Sequence, residues 1–142
     1  MIGPVHHVGV AVKSLREALE AYRRLGLEPD HTEDVPSQGV RVAFIRAGAV
    51  RVELLESLKP DGVIARFIER RGEGFHHLAF ATEDIRGEMA HLKNAGFELV
   101  DVEPRRGSRG RLVAFVHPRS LHGLLLELVE EPRKPIGKTQ QD

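Results

Sequence analysis

Four side chains in this sequence could do chemistry together, although they are widely separated along the chain. They are His7, Glu53, His77 and Glu127. Two imidazoles and two carboxylates suit a borderline divalent ion such as cobalt, manganese, nickel, iron or zinc. Four protein ligands on an octahedral ion leave two positions free, enough for a ligand that binds through two oxygen atoms. These residue types therefore predict a metal site, provided that the fold brings them together.

Each of these residues also has a simpler explanation when it is considered alone. A histidine beside alanines is usually a structural histidine whose hydrogen bonds are satisfied. Glu127 lies in the apolar segment 124–129, where an unpaired carboxylate is costly to bury, and a salt bridge could supply its partner. What favours the metal site is that the four residues occupy matching places in an internal repeat.

The second half of the chain repeats the first. Residues 6–28 align without a gap with residues 76–98, and the identical pairs are His6/His76, His7/His77, Ala11/Ala81, Arg16/Arg86, Gly26/Gly96 and Glu28/Glu98. Further on, residues 42–44 match 113–115, and residues 52–54 match 126–128 after a short insertion. Chance rarely gives so many matches in one order, so we infer a duplicated structural unit.

Each copy has the pattern of a strand followed by an amphipathic helix. In the first strand, valines alternate with smaller or polar residues, which is typical of a strand with one face in the core. Ser14 begins the first helix, with Glu17 three residues later completing a capping box, and Asp84 begins the second. Gly26 and Gly96 stand where helix C-cap glycines belong.

Three further strands are expected after each helix. They are predicted at residues 28–32, 41–47 and 51–56 in the first copy, and at residues 99–103, 112–117 and 124–130 in the second. These elements predict an α+β fold in which two tandem βαβββ repeats form one curved mixed sheet around a central metal site.

The chain is expected to form a single domain over residues 1–130. Repeat one covers about residues 5–57, a linker helix about 61–71 and repeat two about 75–130. Residues 131–142 are mostly polar and include two prolines, so we expect them to form a loose C-terminal tail.

Strand alternation places the four candidate ligands on one side of the sheet. Because the valines of the first strand face the helix, His7 lies on the opposite, concave face, and His77 does the same in the second copy. The apolar neighbours of Glu53 and Glu127 face the core, so both carboxylates also face the concave side. Pairs such as His6 and His7 point to opposite faces, so we expect His6 and His76 to be capping or surface residues.

A basic, glycine-rich hairpin loop occupies residues 105–111. Its arginines are Arg105, Arg106, Arg109 and Arg111. One interpretation is a solvated turn. The other is a clamp for phosphate groups, since the planar guanidinium suits phosphate oxygens.

Composition excludes several classes of protein. At 142 residues, 41% hydrophobic and 30% charged, the chain is typical of one soluble globular domain and not of a disordered or membrane protein. Its formal net charge is zero, so no overall field attracts nucleic acid or an anionic membrane. Without cysteine it has no disulfide and no thiolate ligand. The first residues contain no apolar stretch of signal-peptide length, so we expect a cytoplasmic protein.

The doubled histidine strand with a glutamate on the fourth strand resembles the vicinal oxygen chelate superfamily, which includes glyoxalase I, extradiol dioxygenases and bleomycin-resistance proteins. Over about residues 5–130 the chain is more similar to the methylmalonyl-CoA epimerase family. The stretches that carry this resemblance are residues 7–12, 38–41, 74–80, 103–108, and 117–119 with 123–128. The last two are fairly specific, because glyoxalase I tends to carry a D-P-D-G-type turn that is absent here.

The resemblance implies a site, a reaction and a partner. Metal ligands are implied at His7, His77 and Glu127, with the fourth at Glu53, where several bacterial members have glutamine. The implied reaction interconverts the (R) and (S) forms of methylmalonyl-CoA by C2 proton abstraction and reprotonation through a metal-stabilised enolate, with Co2+ favoured as the ion. We expect a homodimer that acts on a small acyl-CoA and has no nucleic-acid or membrane partner.

One position departs from the family pattern. Several bacterial members place a base glutamate where this chain has Val42, and valine cannot move a proton. We therefore hypothesise that Glu53 and Glu127 are the two catalytic bases, while the four arginines of the loop bind the phosphates of coenzyme A. The alternatives are a glyoxalase I-like lyase that acts on a glutathione hemithioacetal, and a non-catalytic ligand-binding member of the superfamily.

Overall fold

The computed structural model describes residues 1–132, so residues 133–142 of the predicted tail lie outside the described residues. In chain order the strands and helices are β1 (Ile2–Ala11), α1 (Leu15–Arg24), β2 (Pro29–Val35), β3 (Val40–Ala47), β4 (Val50–Ser57), α2 (Val63–Arg71), β5 (Gly74–Thr82), α3 (Ile85–Asn94), β6 (Arg105–Arg106), β7 (Leu112–Val116) and β8 (Leu126–Glu130). Short 3-10 turns occur at Pro36–Gln38, Ser108–Gly110 and Pro118–Leu121.

All of these strands belong to one mixed sheet, in the order β2-β3-β4-β1-β5-β8-β7-β6. The first strands of the two repeats, β1 and β5, lie antiparallel at its centre. Each is flanked in parallel by the last strand of its own repeat, β4 or β8. A pseudo-twofold axis therefore runs between β1 and β5. The sheet curls into a half-barrel, and the predicted fold of two tandem βαβββ units is confirmed.

The helices α1 and α3 pack on the convex side of the sheet. The buried residues at these contacts are Leu15, Leu19, Ala43, Ile45 and Leu54 for α1, and Ile85, Met89, Leu92, Ala114, Val116, Leu126 and Leu128 for α3. Each fully buried leucine or isoleucine stabilises the fold by about 1.5–3 kcal/mol. These contacts use alternate residues of β3, β4, β7 and β8, which leaves the other residues of those strands on the concave face.

The ends of α1 and α3 are where the sequence predicts them. The Ser14 hydroxyl oxygen accepts a hydrogen bond from the Glu17 backbone N–H, and the Asp84 carboxylate accepts one from Gly87. Beyond the helices, Gly26 has a φ of +85°, in the left-handed region that favours glycine. Among the described residues, no helix is long and apolar enough to cross a membrane.

The prediction of a strand at residues 99–103 is wrong. Leu99 forms only an isolated bridge with Val116, and the strand that pairs with β7 is the two-residue β6. The reason lies in Asp101, whose carboxylate accepts the hydrogen bond from the Phe115 backbone N–H at 2.8 Å. A side chain thus replaces the main-chain acceptor, so the ladder cannot continue through this segment.

The linker helix α2 covers one half of the concave face. Its residue Ile64 is buried in a cluster with Val42 and Leu55, which belong to repeat one. The repeat-two counterpart of Leu55 is Val129, which clusters with Ala79 and has no helix over it within residues 1–132. The two repeats are therefore alike in their strands but differ in what covers them.

Candidate metal centre

The two candidate histidines lie diagonally across the central strand pair. His7 on β1 is opposite Ala79 on β5, and His77 on β5 is opposite Gly9 on β1. A Cβ atom added to Gly9 would overlap the imidazole ring of His77. The absence of a side chain at Gly9 is therefore what gives the His77 ring its space.

The two candidate carboxylates flank the histidines from the next strands outward. Glu53 on β4 and Glu127 on β8 pair in parallel with those same two small residues. On their other sides they pair with Phe44 and Phe115. Each phenylalanine ring makes an edge contact with the histidine of its own repeat, at centroid distances of 5.5 Å and 5.7 Å. The pseudo-twofold symmetry therefore includes the two phenylalanines that pack against the histidines.

The four side chains meet at one point, which we call the four-residue centre. His7 Nε2 and His77 Nε2 are 3.1 Å apart. Oε1 of Glu127 is 2.9 Å and 3.0 Å from these two nitrogens, and Oε1 of Glu53 is 3.1 Å and 3.3 Å from them. All four residues are buried. One ligand atom from each lies within 4.8 Å of the others, so the structure brings the predicted set together.

These spacings fit a shared cation. Glu127 Oε1 lies close to the Nε2 atoms of both imidazoles. With metal–ligand bonds of about 2.1 Å, ligands at right angles stand about 3.0 Å apart, and tetrahedral ligands about 3.4 Å. The nitrogen–nitrogen and nitrogen–oxygen distances run from 2.9 to 3.3 Å. Donor types and spacing together suit one divalent ion in octahedral coordination.

The charges of the four-residue centre also favour a divalent ion. Burial alone would lower the pKa values of His7 and His77, but the two carboxylates raise them to about 9 and about 10. Burial would raise the pKa values of Glu53 and Glu127, and the neighbouring imidazoles lower them instead. Two imidazolium charges thus balance two carboxylates when no metal is bound. A divalent ion brings the same charge and can replace the two protons.

Two further histidines belong to this centre, and our expectation that they are capping or surface residues is wrong. His6 is buried, and its Nδ1 is 2.7 Å from Nδ1 of His7. His76 is half-buried, and its Nδ1 is 2.9 Å from Nδ1 of His77. Strict alternation fails here because the β1–β5 ladder shifts register beside both pairs. The sequence did hold a signal, since both pairs are identical between the repeats.

The contacts between Nδ1 atoms restrict the tautomers, because one ring must donate and the other accept. A ligand histidine that offers Nε2 to a metal carries its proton on Nδ1. His7 and His77 would then donate to His6 and His76, which accept as neutral rings. Burial lowers the pKa of both His6 and His76 to about 4, so these rings stay neutral. Such outer partners orient a metal ligand and fix its tautomer.

A cleft opens from the four-residue centre towards repeat two. Gln38 and Arg51 of repeat one contribute to its walls, together with Val129 and the loop at residues 105–111, which we call the arginine loop. Its cavity volume is about 20 Å³, which is room for about one water molecule. A ligand larger than a water molecule therefore enters only if the side chains that line the cleft move apart.

The structure separates the four arginines of this loop into two kinds. Arg109 and Arg111 line the cleft, and Arg111 also pairs with Glu131, at 2.9 Å between Nη2 and Oε2. Arg105 instead pairs with Asp101, at 2.9 Å between Nε and Oδ1. Arg106 donates to a backbone carbonyl of its own loop at 2.7 Å.

Glu33 of β2 ties the arginine loop to repeat one. Its Oε1 accepts hydrogen bonds from the Ser108 hydroxyl at 2.9 Å and from the Arg109 backbone N–H at 3.0 Å. His31 Nε2 lies 2.8 Å from the same oxygen. Burial opposes ionisation, but these contacts lower the pKa of Glu33. Sequence reasoning missed this role, because Glu33 and the loop are 75 positions apart and nothing local links them.

Comparison with known proteins agrees with the fold and the centre. The Glyoxalase/Bleomycin resistance protein/Dioxygenase superfamily matches residues 6–115, so the chain belongs to this superfamily.

Within it the chain is 39% identical over 131 residues to the ethylmalonyl-CoA/methylmalonyl-CoA epimerase of Cereibacter sphaeroides, covering 90% of this chain and 98% of that one. It is 32% identical over 129 residues to the human mitochondrial methylmalonyl-CoA epimerase, covering 89% and 73%. A solved structure of a variant Streptomyces coelicolor methylmalonyl-CoA epimerase in complex with 2-nitronate-propionyl-CoA is 35% identical, with a TM-score of 0.90 over 95% of this chain and 100% of that one. The chain belongs to the same family as these methylmalonyl-CoA epimerases.

Replacing either outer histidine should weaken metal binding. His6→Phe and His76→Phe each keep a ring but remove the acceptor for the ligand Nδ1–H. We expect the affinity for Co2+ to fall about 10- to 100-fold, measured on chelator-treated protein by competition with an indicator. His91→Phe, at an exposed position on α3, is the control and should bind like the wild type. Equal affinity in all four proteins would show that the outer histidines do not position the ligands.

The stability of the metal-free protein should depend on pH. Folding raises the pKa values of His7 and His77 to about 9 and about 10, from about 6.5 in an unfolded chain. The resulting stabilisation is fully present below about pH 6.5 and is lost as the pH rises through the folded values. In urea unfolding, we expect the free energy to fall between about pH 6.5 and 10, by up to about 1.4 kcal/mol per pH unit for each histidine.

Metal-loaded protein is the comparison for this measurement. A bound ion takes unprotonated imidazole, so the loss of stability at alkaline pH should be much smaller in the loaded sample. Metal-free protein whose stability is flat or increases across this range would contradict the assigned charges.

Proposed function

We propose that this protein is a methylmalonyl-CoA epimerase, which removes the C2 proton of its substrate and returns one from the opposite face. One observation carries the proposal: Glu53 and Glu127 reach the same point from opposite repeats. Inversion of a carbon centre requires a proton acceptor on one face and a donor on the other. The names of the relatives and the acyl-CoA analogue bound to a structural neighbour support the same function.

The four-residue centre would hold one divalent ion, and we propose Co2+, with Mn2+, Ni2+, Zn2+ and Fe2+ as ions of similar preference. When bound, the ion supplies a Lewis acid for the negative charge that builds on the thioester oxygen as the proton leaves. His7 and His77 would hold it from the central strands, and Glu53 and Glu127 from the flanking ones. Oxygen atoms of the substrate would complete the coordination of the ion.

Proton transfer is assigned to Glu53 on one face of C2 and to Glu127 on the other. The position of the family's base glutamate holds Val42, which is fully buried and packs with Ile64 of α2. Glu33 pairs with Val42 across the sheet, but its carboxylate is occupied by the arginine loop. A carboxylate has two oxygens, so one can hold a metal while the other accepts a proton.

The arginine loop is proposed to meet the phosphates of coenzyme A. Arg109 and Arg111 line the cleft and would make the closer contacts, Arg111 in competition with its ion pair to Glu131. Arg105 and Arg106 are engaged within the protein, so they would contribute mainly through their charge. Because the whole chain has no net charge, a local group of arginines is the means by which an anionic ligand is attracted.

Two other functions use parts of the same site. A glyoxalase I-like lyase could use the same four ligands, and a non-catalytic binding protein could use the cleft alone. Neither is favoured, since the relatives above are named epimerases. Incorporation of solvent deuterium into methylmalonyl-CoA tests the proposed activity, with the methylglyoxal–glutathione hemithioacetal as the parallel substrate for a lyase.

We also propose a cytoplasmic location, a homodimer, and one domain over residues 1–130 followed by a tail over residues 131–142. The bacterial epimerase relative supports the cytoplasmic location, and the continuous sheet across both repeats supports a single domain. Size-exclusion chromatography with light scattering tests the dimer.

Changing one base should affect one face of the substrate. Glu53→Gln keeps an amide oxygen for the metal but cannot accept the proton. We expect epimerisation to fall by about 10² to 10⁴, while the C2 proton of one epimer still exchanges with solvent. Glu127→Gln should show the opposite preference for epimer. Metal content is measured in the same samples, and normal epimerisation by metal-loaded Glu53→Gln would place the base elsewhere.

Neutralising the cleft arginines should weaken substrate binding in a salt-dependent way. For Arg109→Gln combined with Arg111→Gln we expect KM for methylmalonyl-CoA to rise about tenfold at low salt and less at high salt, because ions screen the attraction. Arg105→Gln, whose partner is Asp101, is the control and should change KM by less than about threefold. If the double variant has an unchanged KM at every salt concentration, the loop is a solvated turn that does not bind phosphate.

A further inference from the structure

The two edges of the curled sheet meet beside the cleft that leads to the four-residue centre. Strand β2 and strand β6 stand at opposite ends of the strand order, yet the segments that follow them are in contact. The Ser37 hydroxyl, in the turn after β2, donates to the Arg106 backbone carbonyl at 2.9 Å. A Cβ atom added to Gly107 would lie 3.4 Å from Gln38 Nε2. The turn and the arginine loop both line the cleft, so their contact closes it.

Glu33 makes the central contact between these two edges. Its single oxygen Oε1 accepts from the Ser108 hydroxyl at 2.9 Å and from the Arg109 backbone N–H at 3.0 Å. The Glu33 side chain is 28% exposed and Arg109 is exposed, so water competes for both bonds. Polar contacts at the surface open more easily than a buried apolar core. The closing contact is therefore the part of this cleft that can open locally.

The arginine loop is built to move as one piece. The Gly107 N–H donates to the Arg111 carbonyl at 2.8 Å, and the Arg106 guanidinium donates to the Gly110 carbonyl at 2.7 Å. Arg109 and Gly110 have φ values of +59° and +71°, as in a tight turn with two left-handed residues. These bonds lie within the loop, so they persist when the loop separates from β2.

The other end of the loop is fixed to repeat two. Arg111 pairs with Glu131 at 2.9 Å, and residues Arg105–Arg106 of β6 pair with β7. A loop that is held firmly at one end and by the Glu33 oxygen at the other can pivot about its fixed end.

We infer that the arginine loop is a lid over the four-residue centre and that Glu33 is the latch that holds it against repeat one. When the two Glu33 bonds break, the loop swings away from the turn and the cleft admits molecules larger than water. The inference concerns access to the centre, so it goes beyond the proposed reaction and does not depend on it.

Hydrogen exchange of single amides, followed by NMR on chelator-treated protein, tests the latch. In Glu33→Ala the Arg109 N–H should exchange about 10- to 100-fold faster than in the wild type, because it loses a charged acceptor. The Gly107 N–H should keep its wild-type rate, since its partner lies within the loop. Glu33→Gln keeps an acceptor oxygen and should give an Arg109 rate between the other two.

Chemical labelling of histidine tests the lid in the same samples. Diethylpyrocarbonate acylates accessible imidazoles and is larger than a water molecule. His6 is buried and lines the cleft, whereas His91 is exposed on α3 and serves as the reference within each molecule. If one opening controls both processes, the labelling of His6 relative to His91 should rise in Glu33→Ala by about the same factor as the exchange of Arg109.

Asp34→Ala is the matched control. Asp34 is the next residue of β2, but its carboxylate pairs with Arg41 at 2.7 Å and it does not line the cleft. Its exchange and labelling rates should equal those of the wild type. An Arg109 rate unchanged in both Glu33 variants would overturn the latch. Faster exchange without faster labelling of His6, or equally faster exchange at Gly107, would overturn a lid that moves as one piece.

Discussion

Two carboxylates buried at the centre of the sheet are the constraint on which the rest of this structure depends. Glu53 and Glu127 are each about 5% exposed and lie among apolar residues, so neither can stay ionised without an opposite charge nearby. His7 and His77 supply that charge as imidazolium, and a divalent ion would supply it in their place. Each repeat contributes one histidine and one glutamate, so the charges of the two repeats balance at one shared centre.

That constraint explains the choice of residues around the centre. The His77 ring fits beside His7 only because Gly9 leaves space opposite it. The rings are held in place by the edges of Phe44 and Phe115 and by hydrogen bonds to the neighbouring histidines. A preorganised ligand set of this kind binds a metal without having to reorder its side chains, which is what second-sphere contacts achieve in metalloproteins generally.

The sequence was informative where the repeat or local chemistry decides the structure. The duplicated strand and helix, with Ser14 and Gly26 at the helix ends, predicted the fold, and the repeat register predicted that the four ligand candidates converge. The failures are non-local. Asp101 interrupts a predicted strand by accepting a hydrogen bond from another part of the chain, and Glu33 holds a loop far away in sequence. The register shift that turns His6 towards His7 depends on how β1 meets β5, which alternation within one strand cannot reveal.

An asymmetric cleft beside a symmetric ligand set suits a reaction that inverts one carbon. In the proposed reaction the substrate enters from the side of the arginine loop, while α2 closes the other side through Ile64 and Phe67. The reacting carbon then lies between carboxylates that the pseudo-twofold places on either side of it. Neither carboxylate has to move for the second proton transfer, since each already lies on a strand that flanks the central pair. The symmetric placement of Glu53 and Glu127 serves the two faces of the carbon. The helix α2, which covers one side of the centre, fixes the orientation of the substrate.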